Sequence, residues 1–415
     1  MRKTIAILFL VALLPGLSLA ASGAGAINMS FNTSARANGM GNAGTAVTWG
    51  EDTNHWANSA LLAFRPGIQY RSFEAKLAEG LADDIWLTNK ELTLGAYGVT
   101  VLLAKGPFEG NYLNMGTQEG TDENGNSTGT FESYMKSQSW GLAVEGVQVM
   151  ERILSREPGV WSRYVGLAGG ITWHDFEDKL APDGAIQDGG GGNAQGSAKS
   201  MGYVLQLTYS DLSRGGGLFD NGALGLSFGG AYGASVLNKT DDMIHHLDAD
   251  QSDPFPRAYL SGWSYTAQVT FADKMREQMN EFGFGFLGDM FNPLFSYTRA
   301  EDLNEAGYYW TGEDYEYGRY PDDYPDAYNQ DEHSRGWEIG LANVFFIRGG
   351  HFTAAYGDID DKTEGGGWKI QAGRLGGFRR DWADFPQAAG LPVTRRTTWS
   401  MWVDPLAIKE TFFNK

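Results

Sequence analysis

The chain has 415 residues, 13% of them aromatic, no cysteine, and a formal net charge of −19. Without cysteine there is no disulfide framework, no thiolate nucleophile and no zinc–thiolate site. The acidic balance repels nucleic acid and no basic–aromatic patch offsets it, so a nucleic-acid partner is excluded.

Residues 1–20 predict a secretory signal peptide. Arg2 and Lys3 precede an apolar core over residues 5–14, and Ser18-Leu19-Ala20 forms a small-residue cleavage site. That core is too short to span a bilayer, and no later stretch reaches the roughly 18 apolar residues a membrane helix needs. Residues 21–64 then break every simple pattern. The stretch ARANGMGNAGTAVTWGEDTNHWANSALLAF neither alternates like a strand nor carries the apolar spacing of a long amphipathic helix.

Residues 65–415 alternate with period two in runs of about 9 to 13 residues. Met201, Tyr203, Leu205, Leu207 and Tyr209 share one face, against Ser200, Gly202, Val204, Gln206 and Thr208 on the other. Trp263, Tyr265, Ala267, Val269 and Phe271 repeat the pattern, as do Trp337, Ile339, Leu341, Phe345 and Ile347. One face is large and apolar, and the other is rich in Gly, Ser, Thr and Gln. A soluble sandwich would place Lys and Glu outside, whereas a membrane barrel turns the apolar face to lipid and keeps a polar interior for water or a plug. Tyr203, Tyr209, Trp263, Phe271, Trp337 and Trp399, placed near the ends of the runs, predict two interfacial girdles. Polar segments at 116–129, 177–199, 240–258 and 311–335 predict long external loops, with short turns at the other end. The fold expected is all-β, a transmembrane antiparallel barrel, and strand plus loop averaging roughly 28 residues gives about 12 to 14 strands.

The irregular segment then becomes legible. Gly39-Met40-Gly41, Ala43, Ala46-Val47, Asp52 and Trp56 resemble the N-terminal motif of the PorV/PorQ family, within the wider FadL-like outer-membrane transporters. Asn58-Ser59-Ala60 stands at that family's Asn-Pro-Ala, with Ser59 in place of the proline. Residues 345–373 and 381–387 are similar to the family's later strands. The resemblance implies a hatch over residues 21–64, including Arg36, Gly39, Met40, Gly41, Asp52, Trp56 and Asn58, folded into a barrel of about 14 strands. It implies the outer membrane of a Gram-negative bacterium, in contact with lipid and lipopolysaccharide. Two roles follow: docking of exported proteins or a secretion channel, as in type IX secretion, or passive uptake of a hydrophobic small molecule. A soluble secreted β-protein is a third, weaker reading.

The residues agree with a plug. Gly39, Gly41 and Gly44 permit close approach to a small-residue wall. Arg36, Arg348 and Arg374, if they face inward, require partners such as Glu338 or Asp52. The six histidines show no metal spacing, there is no Gly-x-Ser-x-Gly elbow, and no cofactor motif is present, so no enzyme is expected. DIDDKTEGG (358–366) predicts a turn between strands, and GGGG (189–192) a loop tip. Tyr315, Tyr317, Tyr320, Tyr324 and Tyr328 interleave with acids in one loop, either as a recognition surface or as a self-packed cap of the barrel mouth.

Overall fold

The computed structural model describes residues 25–413 apart from 66, 78–83, 122–126, 155–160, 163, 180–192, 211–223, 246–251, 273–274, 276–277, 280, 284, 312–313, 320–330, 355–357, 374 and 388–391. The expected signal peptide, the GGGG tip, Arg374, Tyr320, Tyr324 and Tyr328 lie outside the described residues.

Fourteen antiparallel strand positions form one closed ring among the described residues. In chain order they are β1 (Gly67–Lys76), β2 (Trp86–Ala96), β3 in two segments (Val99–Ala104 and Gly110–Thr121), β4 (Ser127–Glu145) and β5 (Val165–Lys179). Next come β6 (Asn193–Ser210), β7 (Leu224–Lys239), β8 (Ala258–Phe271), β9 (Phe295–Ala306) and β10 (Glu332–Leu341). The last are β11 (Phe345–Ala354), β12 (Ile359–Gln371), β13 (Gly376–Phe385) and β14 (Thr394–Val403). β1 pairs with both β2 and β14, the latter from Ile68↔Val403 to Ala75↔Arg396, which closes the sheet. Closure leaves no sheet edge, which a hydrocarbon solvent requires.

Two sequence expectations need correction. Segments read as loop at 116–129, 177–199 and 240–258 contribute paired strand, and β4 reaches 19 residues. Likewise 359–366, read as a turn, belongs to β12. Polar residues carried these segments because the hairpins continue beyond the apolar part of the wall. Second, the end that holds both termini of the barrel has more than short turns. Its connections include residues 146–164 with a helix at Gly146–Leu154, and residues 272–294 with a helix at Gly285–Met290.

The faces of a strand also exchange character along its length. On β1, outward residues run Ile68, Tyr70, Ser72, Glu74, Lys76, while the buried inward row runs Gln69, Arg71, Phe73, Ala75. On β10, outward residues run from Leu341 and Ile339 through Trp337 to Arg335 and His333. The end with the termini is therefore apolar outside and polar inside, and the opposite end is the reverse. There Phe73, Leu87, Leu113, Met135, Phe176 and Phe255 form an apolar core within the barrel mouth. The aromatic rings mark the change of environment. Trp140 stacks on Trp173 at 4.0 Å between centroids, Trp263 on Tyr265 at 5.7 Å, and Tyr203 neighbours Tyr232. Tyr203, Trp263 and Trp337 thus lie well inside their strands, because the sheet continues into water past the headgroups. The exposed Leu, Ile, Phe and Trp belt is far larger than a soluble protein leaves uncovered, which counts against the soluble secreted reading.

Residues 25–65 fill the lumen. The short helix Ala35–Gly39 packs against β11 to β14, and the 3-10 turn Ser59–Phe64 against β3 to β6. Wall glycines form the seat. A Cβ at Gly336 would overlap the Met40 carbonyl, one at Gly350 would overlap the Gly41 amide, and one at Gly202 would overlap the Asn58 side chain. Gly41 itself turns at φ +70 and its would-be Cβ meets the Arg335 and His351 carbonyls. Gly336→Val should displace this turn at a cost of about 1–3 kcal/mol while the barrel persists. Faster hydrogen exchange confined to residues 35–47 is the expected result.

Candidate functional site

The inner segment meets the wall mainly through polar groups. Wall hydroxyls hold its backbone. Thr398 Oγ1 accepts from the Ala35 amide (3.0 Å), Thr363 Oγ1 from the Gly41 amide (2.8 Å), and Ser264 Oγ donates to the Ala46 carbonyl (2.6 Å). Asp302 on β9 accepts from the amides of Gly44 (2.7 Å) and Thr45 (2.8 Å). The inward Ser and Thr row is therefore a set of matched partners for a chain with little secondary structure of its own.

Asn58 performs two tasks. Its Oδ1 caps the 3-10 turn at the Ala60 amide (3.1 Å), and its Nδ2 donates to the carbonyls of Thr45 (3.0 Å) and Tyr203 (3.1 Å). Ser59 occupies the place where the resembling family carries proline. Its hydroxyl donates to the Ser200 carbonyl (3.3 Å) and accepts from Thr172 Oγ1 (3.0 Å), so the departure from that pattern adds ties to the wall.

Two buried charge clusters lie behind these contacts. In the first, Arg36 grips Glu338 in a fork, Nε to Oε2 at 3.0 Å and Nη2 to Oε1 at 2.7 Å. Arg348 Nε donates to the same Glu338 (2.6 Å) and its Nη2 to Asp381 (2.6 Å). Arg379 binds Asp381 through Nε (2.7 Å) and lies 3.5 Å from both Glu338 and Glu51. Lys369 reaches Glu51 at 3.0 Å. In the second, Arg71 Nε lies 2.9 Å from Asp52, and Arg71 and Arg65 each lie 3.2 Å from Glu91. Trp56 Nε1 donates to Glu91 (2.8 Å), and His55 Nε2 lies 3.2 Å from the same carboxylate. Each cluster joins groups of the inner segment to groups of the wall.

Of the two acids left open as partners for inward-facing arginines, Glu338 meets Arg36 and Arg348, whereas Asp52 pairs with Arg71. Sequence reading missed Arg71, Glu91, Lys369, Arg379 and Asp381. Their signal was available: each falls on the inward row of its strand. Gly39 is buried against β11 and β12 and Met40 against β10 and β11, and Met40 packs with Ala43, Val47 and Ala300. Tyr315 sits in a small hairpin, edge-on to Tyr308. Tyr317 is tied inward: its hydroxyl donates to the Asp242 carbonyl (2.8 Å) and accepts from the Phe255 amide (2.9 Å), under the Arg257 guanidinium.

The wall itself is interrupted once among the described residues. Lys105–Glu109 leaves the plane of β3 as a turn, with Gly106, Glu109 and Gly110 at positive φ. Outside it, Lys90 pairs with Glu109 (2.5 Å) and Lys105 with Asp175 (2.9 Å). Glu91, the partner of Trp56, adjoins Lys90 at this break. At the end with the termini, a cavity of about 620 Å³ lies under the inner segment. Arg36, Glu51, Arg65, Glu338, Lys369 and Arg379 line it, with Trp49 and Phe346.

Burial drives His55 down from 6.5 to about 4, against the pull of Glu91 and with the help of Arg65. Burial also raises Asp52, but Arg71 and Arg379 outweigh it and hold that carboxyl below its ordinary range. His55 is thus neutral at pH 7. The seated segment binds fewer protons at His55 than the released one, so the stabilisation is complete above about pH 6.5. It is lost as pH falls through about 4, by up to about 3 kcal/mol. Exchange protection of residues 51–58 should fall across that window, and His55→Asn should flatten that part of the profile. Glu338 serves three guanidiniums, so Glu338→Ala should cost about 3–5 kcal/mol in urea unfolding of the solubilised barrel. Arg36→Ala should cost less, because Glu338 retains Arg348 and Arg379.

Among known proteins, no family model and no curated protein matches the chain. Solved structures do align with it. A Pseudomonas aeruginosa FadL homologue is 10% identical, with a TM-score of 0.39, over 92% of this chain and 100% of its own. The Pseudomonas putida toluene transporter TodX is 11% identical, with a TM-score of 0.35, over 93% and 98%. The monoaromatic hydrocarbon channel CymD is 11% identical, with a TM-score of 0.31, over 89% and 96%.

Proposed function

We propose that the protein is an outer-membrane barrel of FadL-like architecture and PorV-like type, which works with its lumen closed and docks exported proteins or a secretion channel. The observation that carries this reading is the filled lumen. Residues 25–65 are held to the wall by two buried charge clusters and by paired backbone groups, and the cavity beneath them is crossed by the charged side chains of Arg36, Glu51, Glu338, Lys369 and Arg379. Passage along the barrel axis requires the hatch to leave its seat and to separate Arg36 from Glu338. The resemblance of Gly39-Met40-Gly41 and its flanks to the PorV/PorQ motif supports the same reading.

A second reading, passive uptake of a hydrophobic small molecule, is favoured by the break at Lys105–Glu109. A lateral path there would reach Trp56 and Glu91 without crossing the charged cavity. Planar-bilayer recording and affinity capture from solubilised outer membranes separate the two. Docking predicts no steady conductance from the intact chain and co-purification of exported proteins or a large channel. Uptake predicts no such partner, and hydrophobic solute entry into proteoliposomes that shortening the 105–109 turn abolishes.

A further inference from the structure

We propose that the helix Gly146–Leu154 is a lipid anchor that lies in the headgroup–acyl boundary of the leaflet at the end with the barrel termini. The proposal rests on the reading of the protein as an outer-membrane barrel. The helix is fixed firmly. Glu145, at its start, accepts from the amides of Val147 (3.2 Å), Gln148 (2.6 Å) and Leu167 (2.9 Å). Buried Glu151 accepts from the Ser162 amide (2.9 Å) and hydroxyl (2.7 Å). Yet its largest apolar side chains point away from the protein. Met150 is 58% exposed, Ile153 74%, Leu154 75% and the following Trp161 66%. Residues 150, 153 and 154 share one helical face by their spacing.

What covers that face follows from its neighbours. The helix packs on β4 and β5 where the wall is apolar outside, with Leu142, Tyr164 and Leu167 exposed beside it. The apolar surface of the helix therefore continues the lipid-facing belt. Arg152 sits over the ring of Tyr97 at 4.8 Å, which places a cation and an amphipathic ring at the level where phosphates lie. Other connections at the same end also expose rings, Phe282 and Phe412. At the opposite end the exposed groups include Asp241, Asp242, Asp360 and Asp361. A rigid amphipathic helix with a cation beside its apolar face fits an anionic phospholipid surface.

The cysteine-free chain makes the test direct. Single nitroxide labels are placed at Ile153→Cys, at Leu207→Cys on the outer wall, and at Asp241→Cys at the far end. The full chain is reconstituted in vesicles of phosphatidylethanolamine and phosphatidylglycerol. The ratio of collisions with oxygen to collisions with a water-soluble nickel chelate is then measured. At Ile153→Cys it should be several-fold above that at Asp241→Cys and near that at Leu207→Cys. A water-like ratio at Ile153→Cys beside a lipid-like ratio at Leu207→Cys overturns the anchor and leaves the barrel reading intact. An immobile label at Ile153→Cys shielded from both reagents also overturns it, in favour of a protein partner or a second copy. Water-like ratios at both positions overturn the membrane reading itself.

Discussion

The Glu338 carboxylate is the point on which the interior depends. Three guanidiniums, Arg36 from the inner segment and Arg348 and Arg379 from the wall, converge on one buried acid. All four side chains are almost wholly buried. A buried cation therefore needs its partner in place, and removing one side strands the other. Such a cluster does little to raise net stability over an apolar core of the same shape. It does fix register, because Arg36 can meet Glu338 only when the turn at Gly41 is seated against Gly336 and Gly350. Charge pairing and glycine sockets thus specify one position for the segment together.

The same constraint explains why a chain with so little secondary structure of its own can fill the barrel. Its amides and carbonyls must be paired once they are dry. The wall supplies Thr363, Thr398, Ser264 and Asp302 at the positions where the segment presents unpaired backbone. Without those hydroxyls the Ala35 and Gly41 amides and the Ala46 carbonyl would be buried unpaired, at about 1–3 kcal/mol each. Outside, lipid demands the opposite chemistry from the same strands. β1 and β10 satisfy both solvents by exchanging the character of their two faces part-way along.

Much of this was legible in the sequence. Period-two alternation with two unlike faces pointed to the barrel, average strand-and-loop spacing bracketed its strand number at about 12 to 14, and the Gly39-Met40-Gly41 stretch marked an irregular insert rather than a first strand. That an inward arginine such as Arg36 needs a buried acid was legible, with Glu338 and Asp52 both open as its partner. Arg71, Glu91, Lys369, Arg379 and Asp381 were overlooked although they lie on inward rows, since single charges on a strand resemble the boundary of an adjoining loop. The lengths of the strands were also misjudged. Past the membrane, both faces of a hairpin can be polar, and the alternation that reveals a strand disappears.

The sequence by itself determined that a two-faced sheet forms and that a cysteine-free chain carries a glycine-rich insert ahead of it. These properties follow from local periodicity and residue size. Only the tertiary structure decided which charges meet, where the faces of each strand exchange, and that Ser59 binds Ser200 and Thr172. Those outcomes depend on the stagger between strands distant in sequence and on the depth at which the insert comes to rest. Neither quantity is encoded in the neighbours of any one residue.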